Sequence, residues 1–146
     1  GLISNLSESM ISLTKPSAEN MFVTAITTLW FSAISSAIVD NIPFVASMIP
    51  LVIDTAHAVL PSGADFKSVV QHPTLMPVWW SLALGACLGG NGSPVGASAN
   101  VITLGLAEKA GYPISFKKFV LYAIPITIET IIIATIYVWL RYYFLH

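Results

Sequence analysis

The chain is organised as long apolar runs separated by short polar interruptions. Residues 20–39 and 68–107 contain no Asp, Glu, Lys or Arg, and residues 119–140 contain one such side chain, Glu129. A membrane-spanning helix needs about 20 apolar residues. The last run therefore predicts a final spanning helix over residues 118–142, and the aromatic and basic cluster at its end is typical of the headgroup level of a bilayer.

A single polar interruption divides the first apolar stretch. Met21 to Ile53 forms a run of 33 residues with the sequence Asp40-Asn41-Ile42-Pro43 inside it. The run is too long for one span and too short for two spans with an ordinary loop, because each crossing takes about 20 residues. We therefore predict a re-entrant helical hairpin over residues 21–54, with its tip at membrane depth. Asn41 is the predicted N-cap of its second limb.

After a loop predicted over residues 55–73, the second apolar stretch has a longer interruption. Residues 89–96 contain four glycines and a proline, which destabilise a continuous helix by about 1 kcal/mol per glycine and about 3 kcal/mol for the proline. We predict a broken transmembrane helix over residues 74–108, which stops at Gly89-Gly90 and restarts at Ser98. The unwound carbonyls between the halves are candidate cation ligands, and the N-terminus of the second half is a candidate anion site.

The composition and charge of the chain indicate an integral membrane protein. Of its 146 residues, 55% are hydrophobic and 9% are charged, against roughly 25% charged residues in globular proteins. A net charge of −1 without a basic tract excludes nucleic acid as a partner, and the single cysteine excludes an internal disulfide framework. The sequence thus predicts an all-α, multi-pass integral membrane protein with the lipid bilayer as its partner. Lys109, Lys117 and Lys118 favour a cytoplasmic position for their loop, so that the hairpin opens outward.

The two interruptions together predict a binding site. Each places polar side chains and free backbone groups at membrane depth, where they are costly and are usually functional. Secondary transporters build their substrate and ion sites from discontinuous helices of this kind. The alternative is that Asp40-Asn41 is only a helix cap and that the glycine-rich break only permits close helix packing.

Two segments of the chain resemble a known family. The strings SSAIVDNIPFVASMIPLV (Ser35–Val52) and LALGACLGGNGSPVGASANVITLGLAEKAGY (Leu82–Tyr112) are similar to the ion transporter superfamily. Within it, the chain most resembles the citrate-transporter-like domain of arsenical pump membrane proteins, the NhaD-type sodium/proton antiporters and the melanosomal P protein group. The resemblance covers residues 20–142 of the chain.

The resemblance implies two inverted repeats, of which this chain is the second, C-terminal one and the first is its partner. It implies that Asp40 and Asn41 bind coupling ion and substrate at the hairpin tip. The residues that it places in or beside the loop of the broken helix are Asn91, Gly92, Ser93, Ser98 and Asn100. The dicarboxylate branch carries Ser-Asn-Thr at the tip, where this chain has Asp40-Asn41-Ile42, which favours a proton- or cation-coupled antiporter or an arsenite permease. We expect the full-length protein to be a homodimer.

The predicted function is secondary-active transport of a small inorganic or carboxylate ion by alternating access, without enzymatic activity and without a structural metal. Na⁺ or H⁺ is expected as the coupling ion, with no other cofactor, and Asp40, Asn41 and Asn91 are candidate Na⁺ ligands. In a prokaryote, the membrane would be the plasma membrane. The alternatives are a passive ion channel and, less favoured, an intramembrane hydrolase, because Gly96-Ala97-Ser98-Ala99 superficially resembles the Gly-x-Ser segment of rhomboid proteases. A nucleophilic serine needs a histidine base within reach, and the last span has none.

Glu129 lies at the centre of the last span. A charged side chain at that depth costs about 2.5–3.5 kcal/mol on insertion scales. The sequence leaves two hypotheses open, namely a proton relay and a carboxyl group hydrogen-bonded to a neighbouring helix.

Overall fold

The computed structural model describes residues 20–60 and 66–145, and this part of the chain consists of helices and turns without a strand. The helices are α1 (Met21–Ser36), α2 (Asn41–Val59), α3 (Phe66–Gln71), α4 (Met76–Gly89), α5 (Ser98–Lys109) and α6 (Phe116–Trp139). The 3₁₀ turns Pro73–Leu75 and Gly90–Gly92 flank α4, and the π-helical turn Leu140–Phe144 extends α6. The predicted all-α class is confirmed.

The first interruption separates α1 from α2, but its cap differs from the predicted one. Asp40 is the N-cap of α2, with extended backbone, and its Oδ1 accepts a hydrogen bond of 3.1 Å from the backbone N–H of Ile42. Asn41 is already the first helical residue. The physical reason is that a carboxylate satisfies a free N–H of the first turn and also interacts favourably with the helix dipole.

The second interruption separates α4 from α5 as predicted. The helix stops at Gly89, makes one 3₁₀ turn, becomes extended at Ser93 and Ala97, and restarts at Ser98. The N–H of Gly96 donates to both the carbonyl (3.3 Å) and the hydroxyl (3.1 Å) of Ser93. These bonds close a tight turn, because a Ser hydroxyl can satisfy backbone groups that have left the helix.

Helices α1 and α4 pack in backbone contact along a row of small residues. A Cβ atom added to Gly85 would lie 2.3 Å from the carbonyl oxygen of Leu29, and one added to Gly89 would lie 2.2 Å from that of Ala33. The hydroxyl of Ser36 donates a 2.7 Å hydrogen bond to the carbonyl of Ala86 across the same interface. Small residues that allow such approach are the usual contacts between helices in a bilayer. The tip of α1 is therefore held against the end of α4.

Two apolar clusters surround this pair. The first joins α1, α2 and α4 through residues that include Phe44, Met48, Val52, Val78 and Leu82. The second joins α1 to α6 through Leu29, Ala33, Ile131, Ala134 and Val138. Only one stripe of α6 is buried, and its other faces expose large apolar side chains. This is the pattern of a helix with one protein-facing side in an apolar solvent.

The helix lengths bear on the predicted spans. Among the described residues, Phe116–Phe144 is the one helix long and apolar enough to cross a bilayer by length and composition, with 29 residues and a mean hydropathy of 2.1. Helix α1 has 16 residues, about 24 Å at 1.5 Å per residue, and α2 has 19, about 28 Å. A hydrocarbon core is about 30 Å thick. The re-entrant hairpin and the multi-pass topology stay predictions.

The segment predicted as a loop at 55–73 is largely helical where it is described. Helix α2 continues to Val59, and α3 occupies Phe66–Gln71. The apolar periodicity of α2 runs past Asp54, because Val52 and Ala56 are both buried against α4 while Asp54 is exposed. A charge on the solvent side of a helix does not end it.

Candidate functional site

The segment between α1 and α2, which the sequence predicts as a hairpin tip, and the break between α4 and α5 are joined by two hydrogen bonds. The hydroxyl of Ser98, at the start of α5, donates to Oδ2 of Asp40 at 2.6 Å. The hydroxyl of Ser93 donates to the carbonyl of Ala37 at 2.5 Å. These pairs are 58 and 56 residues apart in the chain. The structure therefore brings together the two interruptions that the sequence singled out.

Two helix N-termini converge on the Asp40 carboxylate. One oxygen caps α2 and the other accepts from the first residue of α5, whose own N-cap, Ala97, offers no side-chain acceptor. Each helix N-terminus carries about half a positive charge, so the ionised carboxylate is stabilised from both sides. The Asp40–Ser98 bond is exposed, which leaves this point open to a bound ion or to water.

Asn100 holds the break in shape. Its Nδ2 donates to the carbonyl of Gly90 at 3.0 Å and to that of Ser93 at 2.9 Å. Two of the unwound carbonyls that the sequence offers as cation ligands are therefore already hydrogen-bonded within the protein. The amide of Asn100 acts as a clamp across the break.

Asn100→Asp should destabilise the protein because a carboxylate faces two carbonyl oxygens where an amide donated to them. Two hydrogen bonds at about 1 kcal/mol each are lost, and like partial charges are left in contact. We expect a loss of about 2–3 kcal/mol in the free energy of unfolding of the full-length protein. Denaturant titration in detergent micelles measures it.

The matched control is Asn91→Asp, which makes the same chemical change in the same break. Asn91 is exposed and its amide makes one long bond, 3.5 Å, to the carbonyl of Cys87. We expect its unfolding free energy to change by no more than about 0.5 kcal/mol. Equal losses in the two variants would refute the clamp.

Within the part of the chain that the structure describes, the other predicted site residues form no hydrogen bond to this cluster. The amide of Asn91 bonds back to its own helix. Gly92 is buried, and a Cβ atom there would lie 3.4 Å from the Cβ of Ala37 and 3.6 Å from the side chain of Thr127. Asn41 is half-buried in the first turn of α2. Within the described residues, no group of three or more His, Cys, Asp or Glu side chains is placed to hold a metal ion.

Glu129 lies on the side of α6 that faces away from the site. The buried residues of this helix, Thr127 and Ile131 among them, face α1 and α4, whereas Glu129 is exposed. Two residues along a helix turn the side chain by about 200°. Any role of Glu129 therefore has to involve the exposed surface of α6 on which it lies, and not the site around Asp40.

Three contributions to the site have weak signals in the sequence. Ala37 contributes only its carbonyl, which no sequence pattern marks. Gly96 lies in backbone contact with the break and with α1, because a Cβ there would be 2.6 Å from the carbonyl of Gly90 and 2.7 Å from that of Ser36. Thr127 borders an apolar cavity of about 490 Å³ beside the break, and its hydroxyl has no partner among the described residues.

Comparisons with known proteins point to transport. An uncharacterized transporter of Mycobacterium tuberculosis (strain H37Rv) is 43% identical over 146 residues, which are 99% of this chain and 31% of the relative. The P protein of Homo sapiens is 37% identical over 122 residues, 84% of this chain and 13% of the relative. A 46 kDa membrane protein of Mycobacterium leprae is 45% identical over 120 residues, 82% of this chain and 26% of the relative.

These similarities support a transporter family and a membrane location for the chain. The chain spans less than a third of the length of each of these relatives. No protein-family model matches it, and no solved structure matches it significantly. The assignment of the chain to a citrate-transporter-like domain therefore stays a prediction.

Proposed function

We propose that the chain forms part of a secondary-active ion transporter that works by alternating access, either an anion permease of the arsenite-permease kind or a Na⁺/H⁺-type antiporter. The observation that carries the proposal is the pair of hydrogen bonds between the hairpin tip and the break, Ser98 to Asp40 and Ser93 to Ala37. They bring the polar groups of the two helix interruptions together at one position in the fold. The relatives named transporters support the general function.

The charges at this point give a physical reason for coupled transport. The N-termini of α2 and α5 attract an anion, but the Asp40 carboxylate between them repels it. Two like charges in contact repel each other. A proton or Na⁺ on Asp40 removes that repulsion. In an anion permease, anion and cation therefore favour each other's binding at this point. In a Na⁺/H⁺-type antiporter, Na⁺ and H⁺ would instead compete for the same carboxylate.

The α1–α4 contact supplies a moving unit. Backbone contact at Gly85 and Gly89 and the hydrogen bonds from Ser98 to Asp40 and from Ser93 to Ala37 hold the hairpin tip and the break together as one unit. Helix α6 joins this unit through a single buried stripe. Alternating access can then proceed by rigid-body movement of this unit against the rest of the full-length protein.

The function is tested with the purified full-length protein in proteoliposomes. Uptake of arsenite, of ²²Na⁺ and of radiolabelled citrate is measured with imposed Na⁺ and proton gradients, and again after ionophores have collapsed them. We expect one of these solutes to accumulate against its own gradient and to stop doing so when the coupling gradient is lost. Uptake that never exceeds equilibrium and is unchanged by ionophores would instead indicate a passive channel.

The hydrolase alternative receives no support from the serine geometry. Ser98 donates its hydroxyl to Asp40 and not to a histidine. His72 uses its Nδ1 to accept from the N–H of Thr74 at 3.3 Å, as the cap of a 3₁₀ turn. We therefore propose that the chain has no enzymatic activity.

The same proposal includes a membrane location, partners and a coupling ion for the full-length protein. The full-length protein is a multi-pass integral membrane protein, in the plasma membrane if it is prokaryotic, and forms a homodimer. Its first repeat completes the site opposite Asp40. The coupling ion is Na⁺ or H⁺, and Asp40, Asn41 and Asn91 remain the proposed Na⁺ ligands, with Asn41 and Asn91 acting through their amide oxygens.

Glu129→Gln tests the proton-relay hypothesis. The amide keeps the size and polarity of the carboxyl group but cannot exchange a proton. If Glu129 relays protons, the dependence of transport on external pH should flatten or shift in the variant, while insertion and expression stay normal. Glu108→Gln, which neutralises an exposed acid at the end of α5, is the control. A pH profile that coincides with that of the wild type would refute the proton relay and leave the hypothesis of a hydrogen-bonded carboxyl group.

A further inference from the structure

A second cavity, of about 680 Å³, lies at the opposite end of α1 and α4 from the break. It is bordered by Met21 at the start of α1, by Met76 and Pro77 in the first turn of α4, and by the end of α6. Seven of its eleven lining residues have side chains that can form hydrogen bonds. The cavity is therefore amphipathic, since polar and apolar side chains both line it.

The charge in this cavity is positive and is not balanced by a lining acid. Arg141 is the only charged residue among the described lining residues, and its guanidinium lies 5.5 Å from the centre of the Tyr142 ring. A cation–π contact of this kind orients the group without neutralising it. Tyr143 also lines the cavity, and its buried hydroxyl oxygen has no hydrogen-bond partner among the described residues.

The position of the cavity suits a lipid. It lies at the end of the helix that is long enough to span a bilayer. Two aromatic side chains of its lining, Trp80 and Tyr137, are about half exposed, at 47% and 48%. Exposed Trp and Tyr side chains at the end of a span mark the headgroup level. The first turn of α4 adds the positive end of a helix dipole at the same level.

We propose that this cavity binds the phosphate group of an anionic membrane phospholipid. Arg141 provides the charge-assisted hydrogen bonds, and Gln71, Thr74 and Tyr142 lie within the same lining to complete the polar shell. The acyl chains then extend along the exposed apolar side chains next to it, such as Phe22. This site is separate from the proposed transport site and does not depend on which ion is transported.

The test compares lipids on the purified full-length protein in a neutral detergent. Dioleoyl phosphatidylglycerol, dioleoyl phosphatidylcholine and inorganic phosphate are titrated separately, and the thermal unfolding midpoint is followed. We expect phosphatidylglycerol alone to raise the midpoint. Arg141→Gln should bind it roughly tenfold or more weakly, whereas Lys118→Gln, which removes a positive charge near the other end of the same helix, should bind it as the wild type does.

Several results would overturn the proposal. They are equal stabilisation of the wild type by both lipids, unchanged phosphatidylglycerol affinity in Arg141→Gln, or the same stabilisation by inorganic phosphate, which would identify a free-anion site. If Arg141→Gln does not fold, Arg141→Lys keeps the charge but loses the planar fork. It should retain severalfold less phosphatidylglycerol in native mass spectrometry, and unchanged retention would count against the site.

Discussion

Replacing Asp40 by Asn should abolish coupled transport while the full-length protein still folds and inserts. Asn has the size of Asp and can still accept the hydrogen bond from the N–H of Ile42, so α2 keeps its cap. What is lost is the negative charge at the junction of α2 and α5. Because the bound cation neutralises that charge in the proposed coupling, accumulation against a gradient should fall to the level of passive uptake.

Two further variants separate charge from structure in this experiment. Asp54→Asn removes an exposed carboxylate from the same helix, away from the break, and should transport as the wild type does. Ser98→Ala removes the 2.6 Å hydrogen bond to Asp40 but keeps the charge, and should reduce coupled transport only partly. Transport is measured in proteoliposomes with an imposed gradient. Wild-type rates in Asp40→Asn would show that Asp40 is only a helix cap.

Replacing Gly89 by Ala should be the most destabilising Gly→Ala change among the glycines that the structure describes. The new Cβ atom would lie 2.2 Å from the carbonyl oxygen and 2.4 Å from the Cα of Ala33. Neither is the end of a flexible side chain, so α1 and α4 have to move apart. Overpacking of this kind costs about 1–3 kcal/mol, and the separation also strains the bond from Ser36 to the carbonyl of Ala86, 2.7 Å long.

Gly105→Ala is the matched control, because the same change is made within another helix. A Cβ atom at Gly105 would have nothing within 4 Å, and Ala is favoured over Gly in a helix interior by about 0.5–1 kcal/mol. This variant should therefore be neutral or slightly more stable. Unfolding of the full-length protein by dodecyl sulfate in mixed micelles measures both changes. Similar stabilities for the two variants would contradict the close packing of α1 and α4.

The loss of packing at Gly89 should also reach the candidate site. The α1–α4 contact holds Ala37 within hydrogen-bonding distance of Ser93, so a change in helix separation alters the point where the two interruptions meet. We expect Gly89→Ala to lower transport even at temperatures where the protein stays folded. Gly105→Ala should not.

Both interruptions could be predicted from the sequence because their causes are local. The Asp40–Pro43 segment and the glycines and proline of residues 89–96 disfavour a continuous helix whatever surrounds them. The stop at Gly89 and the start at Ser98 follow from the same preferences. The cap is predicted at Asn41 and lies at Asp40, because Asp and Asn cap helices about equally well.

By itself, the sequence determined that the chain is helical, that its surroundings are apolar like a lipid bilayer, and where the helices break. These features depend on neighbouring residues and on overall composition. Only the tertiary structure decided that Ser98 contacts Asp40, that Asn100 occupies the carbonyls of Gly90 and Ser93, and that Glu129 lies on the opposite side of α6. The contact of Ser98 with Asp40 follows from the packing of α1 against α4, and the position of Glu129 follows from the stripe through which α6 packs against α1. Small residues permit close approach on any helix, and only the assembled fold selects which two helices use it.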